Sequence, residues 1–445
     1  MSQTQPVSNP ALPADALSLR RNLAYALIGN GLLNLCRVLA VVILAKYASA
    51  AIQGTYTYAS IALAAPVVLF CGLELRAAYV ADAGGEFTFG TYRLLRYLGM
   101  AVAAVVLLVV GLWITRHDPD LARARLILAV CAGRVVFGLA EVYWGVYQRR
   151  ERLDLLAWSN ALRGVVLLVP FVALAVLAPR CDSPRELLDL VTAAVLAYVL
   201  GWAVVWLLFD RRKVRRWGGV DFAWDFAALA RLARQTLPLG LIVLLINLCE
   251  TLTQWYVKHA AGAAAWSELG YFGALRILTL GAMFVVVQLG TAAGNRLATY
   301  YQSDLPAFKR LAWRITLVAA AIGLLLVLAA WLFGAPLLRA MYTAAYAEHA
   351  RALNILVAGQ SVALLAAVFG FITTHMRRFW IQVPIHLGVL AATGLAGYVL
   401  IGADDPVLGG AWTTFVRNVT QAVLYLACVW WGVVARHRAP QTPTS

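Results

Sequence analysis

Long apolar runs alternate with short charged ones along the whole chain. A stretch such as MAVAAVVLLVVGLWI (100–114) contains neither a charge nor a regular polar alternation. A helix of roughly 20 apolar residues crosses a hydrocarbon core about 30 Å thick. On that spacing the chain predicts twelve spans, near 22–45, 53–75, 97–115, 126–147, 159–178, 190–209, 236–258, 269–293, 312–334, 352–374, 380–401 and 409–434. Strands of a membrane β-barrel would alternate over about ten residues, which these continuous runs do not. The expected fold is therefore an all-α polytopic membrane protein with about twelve transmembrane helices.

Composition agrees with this class. Of 445 residues 62% are hydrophobic and 13% charged, and the mean hydropathy of +0.77 lies outside the range of soluble globular domains. The net charge of +16 is carried mainly by short connections, including the Arg76 to Arg96 loop, QRRER (148–152), DRRKVRR (210–216), the Arg296 to Arg314 loop, Arg377, Arg378, Arg436 and Arg438. These fall on the side of the membrane that holds both ends of the chain, so the positive-inside rule predicts that both termini are cytoplasmic. Basic residues spread over short loops make a poor nucleic-acid face, and no nucleic-acid partner is expected; anionic lipid headgroups account for them better. The first nineteen residues are polar, without a basic n-region and cleavage site ahead of the first apolar run, so that run is expected to stay as an anchor. Five of the six cysteines lie in or at predicted helices and Cys181 in a loop; no disulfide is expected.

The longest charged connection, 210–235, falls mid-chain and divides it into a polar tail (1–19), a first lobe (20–209), the inter-lobe linker, a second lobe (236–434) and a tail (435–445). The lobes echo one another in order. LLNLCR (32–37) matches LINLCE (245–250), with Leu39 and Leu252, then Lys46 and Lys258 further on; QGTYTYA (53–59) matches LGYFGAL (269–275); QRR (148–150) matches MRR (376–378). An even number of spans per lobe makes the two six-helix repeats parallel, a plan found among transporters that handle substrate between two halves.

Charged side chains at membrane depth cost roughly 2.5 to 3.5 kcal/mol on translocon scales and so face a wet cavity or a partner. Asn30, Asn34 and Arg37 share one face of the first helix, and Asn247, Glu250, Gln254 and Lys258 one face of the seventh. Arg134, Glu141 and Gln148 repeat every seven residues on the fourth. Asn160 and Arg163 mark the fifth, Arg276 and Thr279 the eighth, and Thr414, Arg417, Gln421 and Tyr425 the twelfth. Five arginines against two glutamates suggest an anionic substrate, since the guanidinium fork binds phosphate bidentately. The candidate cavity residues are Arg37, Asn30, Asn34, Arg134, Arg163, Asn247, Gln254, Arg276, Arg417 and Gln421. Glu250 and Glu141 are the candidate carriers for coupling to protons or sodium. Each arginine has a structural alternative, either pairing with a carboxylate or, for Arg163 and Arg276 near helix ends, snorkelling to a headgroup. Asn34 and Asn247 could equally hydrogen-bond between helices. VYWGVY (142–147) and CVWWG (428–432) read most simply as interfacial aromatic belts.

No phosphate-loop motif, no HExxH and no paired Cys ligands occur. Asp404 and Asp405 form the only adjacent acidic pair expected on the outer side, which gives glycosyl-transfer or polymerase chemistry little to work with. The expectation is a non-enzyme without a cofactor or metal.

Several stretches resemble the Wzx-like polysaccharide and oligosaccharide flippases, a branch of the superfamily that includes the MATE exporters and the lipid II flippases. They are RNLAYALIGNGLLNLCRVLAVVILAKYAS (21–49) leading into QGTYTYASIALAAPVVLFCGLELRAAYVA (53–81), LGYFGALRIL (269–278), MYTAAYAEHARALNILVAGQ (341–360) and VLGGAWTTFVRN (407–418). The resemblance implies a V-shaped pair of six-helix lobes. It implies a multi-pass protein of the bacterial inner membrane that passes undecaprenyl-pyrophosphate-linked oligosaccharide to the outer leaflet by alternating access. Its partners would be that lipid-linked substrate, membrane lipids, and the polymerase and glycosyltransferases of the same pathway. A MATE-type exporter of small cations would call for carboxylates to dominate the cavity, and a lipid II flippase resembles a fourteen-helix plan. No family motif fixes a cavity arginine, so the site residues above rest on helix faces.

Overall fold

The computed structural model describes residues 19–82, 85–117, 120–217, 224–279, 303–376 and 380–438, with scattered positions between 281 and 301. The first lobe runs through α1 (Leu19–Tyr47), α2 (Ala50–Thr57), a π-helical turn (Tyr58–Ala64), α3 (Ala65–Gly72), α4 (Leu75–Ala81), α5 (Phe89–His117), α6 (Leu121–Arg149), α7 (Leu153–Leu177), α8 (Pro184–Val205) and α9 (Arg211–Arg215). The second comprises α10 (Phe226–Ala260), α11 (Ala265–Thr279), α12 (Leu305–Met341), α13 (Ala344–Glu348), α14 (Ala350–His375), α15 (Gln382–Leu400) and α16 (Pro406–Arg438). Among the described residues ten helical stretches are long and apolar enough to cross a membrane. The other two helices that match expected spans are the 15-residue α11 and the 33-residue α16.

Several ends differ from the sequence reading because charged residues near a membrane surface continue a helix instead of ending it. α5 begins at Phe89, so Arg93 and Arg96, expected in a loop, are helical and each only 2% exposed. α10 begins at Phe226, within the expected linker, capped by the Asp225 carboxylate, which accepts from the Ala228 N–H at 3.0 Å. The MRR repeat (376–378) retains only Met376 among the described residues, and both tails lie outside them apart from Leu19 and 435–438.

Burial is inverted relative to a soluble protein. Trp331, Leu325 and Phe333 on α12 are 72%, 66% and 62% exposed, a display of apolar surface that only a hydrocarbon surround makes favourable. Inside the first lobe Leu44, Ala59, Leu126, Phe171, Val191 and Val195 form one core; Phe272, Leu275, Leu338, Leu356 and Val407 form another in the second. The VYWGVY aromatics are not a belt: Tyr143, Trp144 and Tyr147 are buried, whereas Trp430 and Trp431 face outward.

The repeated glycine stretches explain how the lobes meet. A Cβ on Gly54 would collide with the carbonyl oxygen of Trp266, and one on Gly270 with that of Ala50. Each glycine thus admits the backbone of the opposite helix, and α2 and α11 pack backbone to backbone as small residues allow in membranes. Around this contact Tyr346 hydrogen-bonds Gln53, the Thr251 hydroxyl donates to Ala62 O at 2.9 Å, and Lys46 Nζ donates to Ala340 O at 2.7 Å. The lysine that echoes Lys46, Lys258, lies over the Tyr58 and Trp266 rings at 5.0 and 4.3 Å. The lobes are therefore closed on each other at the ends of α1 and α10 opposite the start of the chain. Gly270→Ala should lower the thermal stability of the purified protein by about 1–3 kcal/mol through overpacking. Gly31→Ala, whose Cβ would meet nothing within 4 Å, should leave it unchanged or slightly raised; parallel melting curves in detergent test the pair.

Candidate functional site

A cavity of about 460 Å³ opens between α1, the α2 and π-helical segment, α6 and α8, and reaches α11 of the second lobe at Gly273 and Ile277. Two arginines reach it. Arg37 comes from α1 and stacks 4.9 Å above Phe137, with Asn34 Oδ1 3.5 Å from its Nη1. Arg134 comes from α6, and its Nε donates at 3.2 Å to Ser60 O, within the π-helical turn. A π-helical turn widens the backbone and is frequent at functional sites. Here one of its carbonyls takes a side-chain donor. Tyr56 and Tyr198 stand on the same wall.

No carboxylate lies at ion-pair distance from Arg37 or Arg134 among the described residues. Both guanidinium groups border the one cavity. Hydroxyls, an amide and two guanidinium groups without a carboxylate partner line this pocket, a set of groups whose chemistry suits an anion with polar substituents.

The other expected site residues fall elsewhere. Asn30 donates to Ala26 O at 2.9 Å and accepts from Asn160 at 2.9 Å, a helix-to-helix bond between α1 and α7. Asn247 spends its amide on Val243 O at 2.8 Å, and Gln421 is half-buried on α16. Arg163 does not reach the cavity: it is fully buried, bonded to Asp210 at 2.6 Å and to Ser159, and stacked 5.1 Å from Trp144. Asp210, expected to open the inter-lobe linker, instead ends a π-helical turn after α8 and is 0% exposed, with Tyr147 donating to it at 3.2 Å. Glu141 bonds Arg96 at 2.8 Å.

Glu250 is the shared counter-ion of the second lobe. Its Oε1 accepts from Arg276 and, at 2.7 Å, from Arg417. Arg276 also reaches Thr279 at 3.0 Å and Gln360 at 3.3 Å, while Arg417 reaches Asn418. Gln254 Oε1, Gln360 Nε2 and Glu250 Oε2 are buried without a protein partner. One carboxylate against two guanidinium groups leaves this cluster net positive. The sequence did not mark Tyr56, Tyr198, Arg96 or Asp210. Asp210 and Arg96 sat in charged runs that look solvated in one dimension, and the tyrosines blended into an aromatic-rich segment.

No family model matches the chain. The capsular polysaccharide biosynthesis protein CapF of Staphylococcus aureus is 20% identical over 409 residues, spanning 91% of this chain and 98% of the relative. An inward-facing structure of a multidrug-resistance MATE transporter of the MOP superfamily superposes with a TM-score of 0.71 at 12% identity, covering 93% of this chain and 100% of that one. An outward-facing MATE structure gives 0.62 at 15% identity, covering 95% and 96%. A MOP-superfamily transporter from Pyrococcus furiosus, described as having a binding pocket of reverse polarity, gives 0.66 at 16% identity, covering 94% and 96%.

The buried Arg163–Asp210 pair yields a stability test. Removing one partner leaves an uncompensated buried charge, at a cost of about 3–5 kcal/mol. Asp210→Asn or Arg163→Met alone should sharply lower the melting temperature, whereas Arg163→Met with Asp210→Leu should recover much of it. Equal loss in all three would remove the ion pair from this account. The described helices, their paired lobes and the superpositions together show that this chain has the two-lobe fold of the MATE-type transporters of the MOP superfamily, in keeping with the Wzx-like resemblance of its sequence.

Proposed function

We propose that the protein is a flippase that moves a diphosphate-linked oligosaccharide on a polyprenyl lipid from the cytoplasmic to the outer leaflet of the bacterial inner membrane, serving polysaccharide biosynthesis. The observation that carries this reading is the placement of Arg37 and Arg134, two cations without carboxylate partners, in a cavity that touches both lobes. A diphosphate supplies the missing charge, the Tyr56, Tyr198 and Asn34 groups suit sugar hydroxyls, and the polyprenyl chain stays in lipid. The full-length likeness to a capsular polysaccharide biosynthesis protein supports the same substrate class.

With both termini cytoplasmic, the lobe contact through Gly54 and Gly270 seals the outer side, so the chain stands in an inward-facing state awaiting its substrate. The higher superposition score on an inward-facing relative than on an outward-facing one supports this assignment. Outward movement of a negative headgroup is favoured by an inside-negative potential, about 2.3 kcal/mol per charge per 100 mV. Arg276 and Arg417 form a second basic station whose ligand would compete with Glu250. Coupling to protons or sodium through Glu250 requires breaking that two-arginine contact, which leaves Glu141 the less encumbered carrier. Polymerase and glycosyltransferases acting on the same lipid-linked sugar are the partners of this reading.

A cationic-dye exporter of the MATE type is the competing activity, and the cavity's net positive charge disfavours it. In reconstituted vesicles the protein should translocate a fluorescent polyprenyl-diphosphate sugar and not a cationic dye; the reverse result rejects the flippase reading. Arg37→Ala and Arg134→Ala should each lower the flipping rate at least about tenfold, the equivalent of one lost charge-assisted contact, with insertion and abundance unchanged.

A further inference from the structure

A second polar cluster lies outside the cavity, where the helix formed by α2, the π-helical turn and α3 breaks. Leu73 and Glu74 both adopt left-handed backbone, with φ of 50° and 49°. Neither is glycine, so both side chains sit on a sparsely populated, strained backbone. Continued α-helix would carry the chain straight past this point; the break turns it, and α4 starts at Leu75.

Charged groups gather at the break from three further elements. Glu141 on α6 is held by Arg96 Nη2 of α5 at 2.8 Å. Arg76 on α4 gives its Nε to the Gln148 amide oxygen of α6 at 3.0 Å and lies 5.4 Å from the Trp144 ring. Glu74 sits within electrostatic reach of Glu141, Arg96 and Arg76, yet has no cation at ion-pair distance among the described residues. Arg96 is 2% exposed, and its Nε–H is a buried donor without an acceptor. Gly72 makes room for that guanidinium, which a Cβ there would strike. A half-buried carboxylate lacking a donor thus lies within electrostatic reach of a buried donor lacking an acceptor, whose guanidinium packs against Gly72, two residues before it. α10 meets the break with Gly240, not with a charge. A Cβ on Gly240 would come within 2.9 Å of Leu73 Cδ2 and 3.3 Å of Phe70 O, two residues beyond the in-helix Pro238.

We propose that Glu74 is a reversible proton-binding site whose charge state sets the geometry of the inter-lobe contact at Leu73 and Gly240. Ionised, the Glu74 carboxylate accepts from Arg96 Nε, and the two glutamates balance Arg76 and Arg96. Protonated from bulk water, it releases Arg96, the cluster gains one positive charge, and the strained turn is free to relax against α10. The proton is the ligand, and no other co-reactant is needed. This assignment rests on the two-lobe transporter reading for its purpose but does not depend on which substrate is moved.

Hydrogen–deuterium exchange of the substrate-free protein in lipid nanodiscs tests it, run at about pH 8 and about pH 5.5, a window that covers buried carboxylates, with intrinsic rates corrected. In the wild type, protection of 50–57 and 265–279, where the lobes close, should change by at least about threefold between the two conditions. Glu74→Gln should show the low-pH pattern at both. A wild-type response retained in Glu74→Gln, or no response in the wild type, overturns the proposal. Leu73→Gly keeps the carboxylate while removing strain at one position, and should preserve the response; its loss there would place the device in the backbone and overturn the proton assignment as well. If vesicles fail to flip the sugar lipid while exchange behaves as stated, the flippase reading falls and the proton site stands. If they flip it while exchange is insensitive to pH, the flippase reading stands and the proton site falls.

Discussion

An arginine inside hydrocarbon must find a carboxylate, a set of hydrogen-bond acceptors or water, because its charge cannot be removed by deprotonation. This single constraint sorts the intramembrane arginines into different jobs. Arg163 is enclosed with Asp210, and Arg276 and Arg417 share Glu250. Arg37 and Arg134 remain, with an aromatic ring and a backbone carbonyl in place of a counter-ion. The fold tolerates them because they border an open cavity, where they are not enclosed in hydrocarbon. The same residue type is paired with a carboxylate at one site and left without one at another, according to what lies within about 4 Å.

Movement between two lobes needs a seal that is tight when closed and cheap to open. Backbone contact across Gly54 and Gly270 meets both needs, since it buries little flexible side chain and surrounds itself with a few polar contacts, such as Tyr346 with Gln53 and Thr251 with Ala62. At the opposite end the lobes touch through Gly240 and the strained Leu73–Glu74 turn. One interface is smooth and the other is built on a broken helix beside four charged groups. The two ends of the lobe contact thus differ in kind, backbone packing at one and a broken helix beside charge at the other.

The parallel repeat clarifies why LLNLCR and LINLCE end differently. Cys36 and Cys249 are both buried, Asn34 faces the cavity, and Asn247 bonds its own helix. Arg37 then reaches an open cavity, while Glu250 is clasped by two arginines. The two lobes share a scaffold and differ in electrostatics, the single carboxylate of α10 being outnumbered by the arginines of α11 and α16.

The class of fold was legible in one dimension, since hydrocarbon leaves a signature of length and apolarity that no partner residue can imitate. The span series, the repeat and the surplus of arginine at membrane depth all followed from it. Helix faces also placed Asn34, Arg37 and Arg134 where the cavity has them. Helix starts at Phe89 and Phe226, and the burial of Arg96 and Asp210, were not legible, because a charged run beside a membrane has the same composition whether it is solvated or folded back into the bundle. Which arginines are neutralised depends on carboxylates 47, 26 and 167 residues away along the chain. Sequence alone determined that this protein carries cations into the membrane; only tertiary structure decided which of them remain uncompensated, because ion pairing is set by distance in space.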